Sequence, residues 1–166
     1  MGKVLERFSN GVAGAVSRSV DDIVISVKNV GETDIPFGAP VFMTTGGAVP
    51  FNKDDPQDFD AFLGFAVRIA DMTPDSYPRD QAGTSQAGSW KHGDVMEVLV
   101  RGGIVVPMSA SGRQGGKVYI RKNDGALTAD AGQSGTTVLL ENVRIRNPQG
   151  FGGTVAEVIV NSRNII

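Results

Sequence analysis

Hydrophobic residues along the chain come in short runs that alternate with polar or small residues. In residues 23–28, Ile23, Ile25 and Val27 alternate with Val24, Ser26 and Lys28, and residues 117–121 alternate again with a period of two. Such a period places neighbouring side chains on opposite faces of a strand, so each run predicts a half-buried β-strand. Five further runs of strand length are residues 40–45, 63–69, 96–107, 136–145 and 154–160.

Turn residues predict how these runs are connected. Gly102 and Gly103 divide one run into two apolar halves, which predicts a tight hairpin at this point. The residues Asn-Asp-Gly at 123–125 predict a primed turn. In residues 63–69 every second side chain is large and apolar, which predicts a strand with one buried face.

Two longer segments lack strand patterning. Residues 1–20 are predicted to form an extended N-terminal arm, and residues 21–166 a β-rich domain. Residues 71–91 are polar and rich in turn formers, which predicts a long surface loop. No long window has a helical apolar period without glycine or proline. We therefore predict a mainly β protein with a single antiparallel β-barrel or β-sandwich domain, an extended N-terminal arm and long loops.

The composition excludes several kinds of chemistry. The 166 residues include 22 glycines and no cysteine, so disulfides, zinc–thiolate sites and thiol catalysis are excluded. The net charge of −2 argues against a general nucleic-acid binder. No apolar run is long enough to span a membrane, and Glu6 and Arg7 stand where a signal peptide needs apolar residues. We expect a soluble, unprocessed chain made in the cytoplasm, with no cofactor and no nucleic-acid or membrane partner.

Candidate catalytic residues are few. His92 is the only histidine and lies in a loop before a strand, where we expect it to be exposed to solvent. A Ser-His-Asp hydrolase needs a nucleophile beside its base, and no such motif accompanies it. A small hydrolase with an unfamiliar site at His92 and Asp94 is the alternative to a protein without enzymatic activity. A phosphate-binding loop at 115–117 is excluded, because Ser111 and Val118 occupy positions that need glycine and a hydroxyl residue.

Charge is unevenly distributed along the chain. Residues 54–60 carry four aspartates without the spacing of an EF-hand, so we expect a solvated acidic loop; a looser cation site is the alternative. The neighbouring Phe51, Phe59 and Phe62 are expected to turn toward the protein. From residue 101 to residue 122 there is no acidic residue but five basic ones, Arg101, Arg113, Lys117, Arg121 and Lys122. Such segregation can form patches complementary to copies of the chain or to a large partner, although ordinary outward strand faces would show the same pattern.

Five short apolar motifs with glycine turns follow one another along the chain. They are Ile35–Val41, Phe62–Arg68, Gly93–Val106, Gly116–Ile120 and Gly125–Thr128. In order and spacing they resemble the head cement or decoration proteins of tailed bacteriophages, over about residues 10–160. The loops at 54–60 and 71–91 depart from this pattern, so no role is carried over to them.

The resemblance implies a non-enzymatic virion protein on the outer capsid surface. Such a protein would bind the lattice of the major capsid protein, commonly as a homotrimer, and stabilise the head after synthesis in the host cytoplasm. Strand edges and an arm can pair with another chain, and many weak contacts on one lattice add up. The alternative is a carbohydrate- or receptor-binding β module of a virion tail or surface, with aromatic side chains on its binding face. The candidate partner contacts are Val4, Leu5, Phe8, Tyr77, Trp90, Arg113 and Lys117.

Overall fold

A computed structural model describes residues 11–17, 21–52, 61–69, 88–110, 112–148 and 154–161. The strands in these ranges are β1 (Ile23–Lys28), β2 (Ile35–Pro36), β3 (Pro40–Thr44), β4 (Gly47–Pro50), β5 (Phe62–Ala66), β6 (Ser89–Trp90), β7 (Val95–Pro107), β8 (Lys117–Arg121), β9 (Leu127–Thr128), β10 (Thr137–Asn147) and β11 (Val155–Val160). The same ranges contain no α-helix, and no helix in them is long and apolar enough to cross a membrane. The predicted mainly β class is confirmed.

One curled antiparallel sheet contains nine strands, and β2 pairs with β6 separately. The order across the large sheet is β4-β3-β5-β7-β11-β10-β8-β9, and β1 also pairs with β7. Directly after β1, Asn29 forms a parallel bridge with Ala48 of β4. Because β7, β5 and β3 connect these two strands, the bridge closes this end of the sheet into a ring. The architecture agrees with the predicted barrel or sandwich.

Strand β7 is 13 residues long and connects the two halves of the sheet. Its first half pairs with β1 and β5, and its second half pairs with β11. The hairpin predicted at Gly102 and Gly103 is therefore wrong. A Cβ atom at Gly102 would overlap Asp22, and one at Gly103 would overlap Ser17. The two glycines thus permit close approach of the N-terminal segment, not a reversal of the chain.

Two hydrophobic cores lie on opposite faces of the sheet. The larger core is enclosed mainly by β7, β8, β10 and β11, and the smaller core lies inside the ring. Strand β5 contributes to both cores, with Phe62 and Phe65 in the larger and Leu63 and Ala66 in the smaller. The single buried face predicted for residues 63–69 is therefore wrong. A shift of register against β3 breaks the alternation of side chains at this point.

The connection between β8 and β9 differs from the predicted primed turn. The Arg121 N–H donates to the Ala126 carbonyl over 2.9 Å, which leaves the four residues between them as a loop. Primed turns normally join strands through two residues. Only Gly125 has a positive φ here, of 70°. The Asp124 carboxylate stabilises the loop by accepting a hydrogen bond of 3.0 Å from the Ala126 N–H.

Part of the predicted N-terminal arm lies along β7. In residues 11–17, the Gly14 N–H donates to the Val105 carbonyl over 2.8 Å. The Val105 N–H donates in turn to this segment over 2.9 Å, so the segment extends the pairing of β7. Residues 1–10 and 18–20 lie outside the described residues. The boundary between arm and domain therefore stays a prediction.

Candidate partner-binding surface

The structure describes three of the residues predicted as partner contacts, which are Trp90, Arg113 and Lys117. The other candidates lie outside the described residues and stay predictions: Val4, Leu5, Phe8 and Tyr77.

The acidic loop at 54–60 and its Phe59 also lie outside the described residues. The two flanking phenylalanines turn toward the protein as predicted. Phe62 is buried, and Phe51 packs against the larger core. The solvated acidic loop, with a looser cation site as its alternative, stays a prediction.

Trp90 lies in the smaller core. Only 6% of its surface is exposed, because the pairing of β6 with β2 places it opposite the buried Ile35. Its indole N–H donates to the Val67 carbonyl over 2.9 Å. The Phe37 ring packs edge-on against it, with 6.2 Å between the ring centroids. Near the end of the segment predicted as a 71–91 loop, residues 89 and 90 form strand β6. Only a small part of the Trp90 side chain is exposed for contact with a partner.

An exposed cluster of basic side chains lies at one end of the β8–β10 pair. We term Arg113, Lys117 and Arg144 the basic cluster. Lys117 lies opposite Arg144 in the pairing of the two strands. Two backbone hydrogen bonds to Ile145, of 2.7 and 2.9 Å, hold the loop that carries Arg113 against β10. Arg113 and Lys117 are exposed and Arg144 is half-buried.

No carboxylate among the described residues forms an ion pair with this cluster. Arg113 and Lys117 form no ion pair with any residue in the described ranges. Glu157, on the adjacent β11, pairs with Arg146 over 3.6 Å. The Nη1 of Arg144 donates to two backbone carbonyls, each at 2.8 Å, and not to a carboxylate. Like charges opposite one another on paired strands are destabilising, so this arrangement carries a cost in the isolated chain.

Apolar side chains continue the outward surface beside the basic cluster. Tyr119 follows Lys117 on the same side of β8, and Leu139 lies opposite Tyr119 on β10. Ile159 of β11 lies opposite Arg144. All three side chains are half-buried, whereas the larger core contains residues next to them along the strands: Val118, Ile120, Leu140, Val158 and Val160. Together with the basic cluster, Tyr119, Leu139 and Ile159 form what we term the outer face.

The sequence did not point to Arg144. In a regular strand, residue 144 would lie on the same face as the buried Leu140, and its side chain would point into the larger core. The register of β10 against β8 shifts between Leu140 and Arg144, so Val143 and Ile145 are buried instead. A β-bulge of this kind cannot be read from the period of apolar residues, and it turns the guanidinium outward.

The loop after β1 is held by a buried side chain that the sequence analysis missed. Asn29 is fully buried. Its Nδ2 donates to the carbonyls of Thr33 and Trp90, each at 3.3 Å, and of Lys91 at 3.1 Å. Its Oδ1 accepts the Gly31 N–H over 3.0 Å. The only sequence signal is an Asn placed two residues before a glycine at a strand end, which is typical of a side-chain-stabilised turn.

His92 is exposed, as predicted, and precedes β7. Its Nδ1 lies 2.7 Å from the Gly31 carbonyl, and the Asp94 carboxylate accepts the Lys91 N–H over 2.8 Å. Neither contact is the base–nucleophile pair that a hydrolase needs. In the described part of the chain, no group of three His, Asp or Glu side chains could hold a metal ion.

An exposed ion pair links the residue before β2 to the residue after β6. The Nζ of Lys91 lies 2.6 Å from a carboxylate oxygen of Asp34, which also accepts the Ser89 hydroxyl over 3.2 Å. The hydrogen bond from Lys91 holds the pKa of Asp34 below its ordinary value of 3.8. The same hydrogen bond raises the pKa of Lys91 above its ordinary value of 10.5.

A cavity of about 560 Å³ opens beside β8 and is lined mainly by polar side chains, among them Lys122 and Thr128. The charge of Arg121 at its wall is neutralised by Asp124, 2.5 Å away. Partial burial raises the pKa of Asp124, but hydrogen bonds from the Ala126 N–H and Arg121 outweigh this and lower it below 3.8. The described lining contains no aromatic side chain that could stack on a sugar ring.

Comparison with known proteins identifies the family. The structural cement proteins (E217 gp24/Pam3 gp6) match residues 3–161 of the chain. No curated protein matches it. A chain in the solved structure "The capsid of Myoviridae Phage XM1" is similar at 19% sequence identity and a TM-score of 0.68, over 97% of this chain and 96% of that chain. At this identity the likeness shows a shared fold. The family match over residues 3–161 shows that the chain belongs to the structural cement protein family. The resemblance inferred from the sequence is confirmed.

Family membership supports a structural role for the chain in a phage capsid, and hence a place in the virion. The family is structural, which agrees with the prediction of a protein without enzymatic activity.

Proposed function

We propose that the chain is a non-enzymatic decoration protein that binds the outer surface of the major capsid protein lattice and stabilises the head. The observation that carries this proposal is the family match over residues 3–161. The outer face supports it, because a surface that combines basic side chains without ion pairs and half-buried apolar side chains is suited to a large partner. The chain would be made in the host cytoplasm and added to the assembled shell.

A decoration protein can stabilise the capsid shell because the same contact is repeated at many positions of the lattice. A contact that is weak for one copy becomes strong when one oligomer binds several lattice positions at once. We therefore propose that the chain acts as a homotrimer, the closed symmetry that fits a three-fold position of the lattice. Light scattering tests this: the expected mass is three times the 17.4 kDa of the chain. A monomer at every concentration would contradict the trimer.

The stabilising role is tested with heads that lack decoration. Purified chain is added to these heads, the excess is removed, and the temperature of shell rupture is measured by light scattering and dye access to the DNA. We expect the rupture temperature to rise with the amount of bound chain and then level off. Bound chain that leaves the rupture temperature unchanged would contradict stabilisation. Cleavage of the bound chain by externally added protease would support placement on the outer surface.

No feature of the described residues favours the carbohydrate- or receptor-binding alternative, since Trp90 is buried.

A further inference from the structure

We propose that the outer face is the surface that binds the capsid, and that it recognises a carboxylate-bearing surface of the major capsid protein. This inference rests on the proposed function and names the part of the chain that carries it out. The basic cluster would pair with carboxylates of the partner, while Tyr119, Leu139 and Ile159 would form the apolar centre of the contact.

The first argument is the geometry of charge. Lys117 and Arg144 lie opposite one another, and no described carboxylate pairs with Lys117 or with the neighbouring Arg113. Repulsion between the cations costs stability in the isolated chain. A partner carboxylate between the two side chains would remove this cost and gain charge-assisted hydrogen bonds. The arrangement therefore favours an anionic partner.

The second argument is that Arg144 is held in position before binding. Both hydrogen bonds that orient its guanidinium use Nη1. Toward the described residues, Nε and Nη2 donate no hydrogen bond, so both can face a carboxylate in the fork geometry that arginine offers to such groups. Arg144 as a whole is half-buried, and the two hydrogen bonds restrict its guanidinium, so less side-chain freedom is lost when a partner binds.

The third argument favours a protein over a nucleic acid. A patch of half-buried apolar side chains beside charged ones matches the composition of protein interfaces, which have an apolar centre and a polar rim. Nucleic-acid surfaces usually combine a strongly basic domain with several stacking aromatics. The outer face has one aromatic residue, Tyr119, and the chain has a net charge of −2.

Two charge reversals with the same effect on net charge test the proposal. Lys117→Glu lies in the basic cluster; Lys28→Glu lies at the exposed end of β1, where Lys28 forms no ion pair within the described ranges. Each takes the net charge from −2 to −4. Binding to undecorated heads is measured by pelleting over a range of concentrations at about 0.05 M and about 0.5 M salt, where screening differs strongly.

We expect Lys117→Glu to weaken binding by about tenfold or more at low salt, and Lys28→Glu by less than about twofold. The difference between the variants should shrink at high salt. Arg144→Lys, which keeps the charge but removes the fork, should fall between the parent and Lys117→Glu. We expect each variant to fold, because none of the three side chains belongs to a core. Circular dichroism tests this.

The outcomes separate the two proposals. If the parent does not bind heads, the proposed function is wrong and this inference is wrong with it. If the parent binds and both reversals weaken binding equally, the capsid role stands and the outer face is not the contact. If Lys117→Glu binds heads normally but loses binding to free DNA that the parent retains, the face recognises nucleic acid and the proposal is overturned.

Discussion

The indole N–H of Trp90 donates a hydrogen bond to the backbone carbonyl of Val67, 2.9 Å away. Trp90 ends the short strand β6, and Val67 directly follows β5. The bond therefore ties the small β2–β6 sheet to the large sheet and satisfies the polar atom of a buried ring. It also explains why the only tryptophan of the chain belongs to the core and not to an aromatic binding surface.

Two substitutions of Trp90 should lower the free energy of unfolding by different amounts. Trp90→Phe retains an aromatic ring but leaves the Val67 carbonyl without its donor, which should cost about 1–2 kcal/mol of unfolding free energy. Trp90→Ala also opens a cavity and should cost about 3–5 kcal/mol. Urea unfolding followed by far-UV circular dichroism measures both. A Trp90→Phe variant as stable as the parent would show that the hydrogen bond contributes nothing.

Removal of the small Asn29 side chain should cause a large loss of unfolding free energy. Asn29→Ala removes three hydrogen bonds to backbone carbonyls and the acceptor of the buried Gly31 N–H, so we expect a loss of about 3 kcal/mol in unfolding free energy. Of the three carbonyls, that of Lys91 keeps its hydrogen bond from the Asp94 N–H. Asn123→Ala is the matched control, because Asn123 is exposed in the β8–β9 loop. It should change stability by less than about 0.5 kcal/mol. Equal effects of the two substitutions in urea unfolding would refute the role given to Asn29.

The addition of one methyl group should destabilise the protein at Gly64 but leave its stability unchanged at Gly46. A Cβ atom at Gly64 would overlap the backbone carbonyl of Leu99, which cannot move without breaking the sheet. We expect Gly64→Ala to lose about 3 kcal/mol or more, or to remain insoluble. A Cβ at Gly46 meets no atom within 4 Å, and Gly46→Ala should be neutral within about 0.5 kcal/mol. Soluble yield and unfolding midpoint test this; a stable Gly64→Ala variant would be inconsistent with the packing of β5 against β7.

The Asp34–Lys91 pair predicts a defined pH dependence. Because Lys91 lowers the pKa of Asp34, the stability that Asp34 adds is complete above its ordinary value of 3.8 and is lost as the pH falls through the lower folded value. The contribution of Lys91 is complete below 10.5 and is lost as the pH rises through its raised value. The advantage of the parent over Asp34→Asn should therefore be constant near neutral pH and vanish at both extremes.

Denaturant unfolding at a series of pH values measures this difference. The pair is exposed, so the effect should be small and should decrease with added salt. Glu97→Gln is the control, since Glu97 is exposed and forms no ion pair among the described residues. A difference between the parent and Asp34→Asn that persists unchanged into strong acid would mean that the ion pair is not its cause.

Much of the fold follows from local patterning. The runs at 23–28 and 117–121 coincide with β1 and β8, and the run at 154–160 differs from β11 by one residue. Alternation was sufficient there because the more buried side chains of each strand keep a period of two. The mainly β class and the family resemblance, both confirmed, rest on the same local signals and on their order.

The errors share a physical cause. Gly102 and Gly103 were interpreted as a turn, but they accommodate the close approach of residues from another part of the chain. The faces of Phe62, Leu63 and Arg144 depend on bulges that arise from pairing with neighbouring strands. Such features are set by tertiary contacts, which override the local period of the sequence. Arg113 and Lys117 were recognised as candidates from charge alone, but their proximity to Arg144 required the structure.

The central claim, that this chain is a capsid cement protein, is tested most directly by its binding to heads that lack decoration. Purified chain is titrated against a fixed amount of these heads, and the pelleted chain is quantified. We predict saturable co-sedimentation at a fixed ratio of chain to major capsid protein. A chain that stays in the supernatant at every concentration and salt level, under conditions in which it is folded, would contradict the claim.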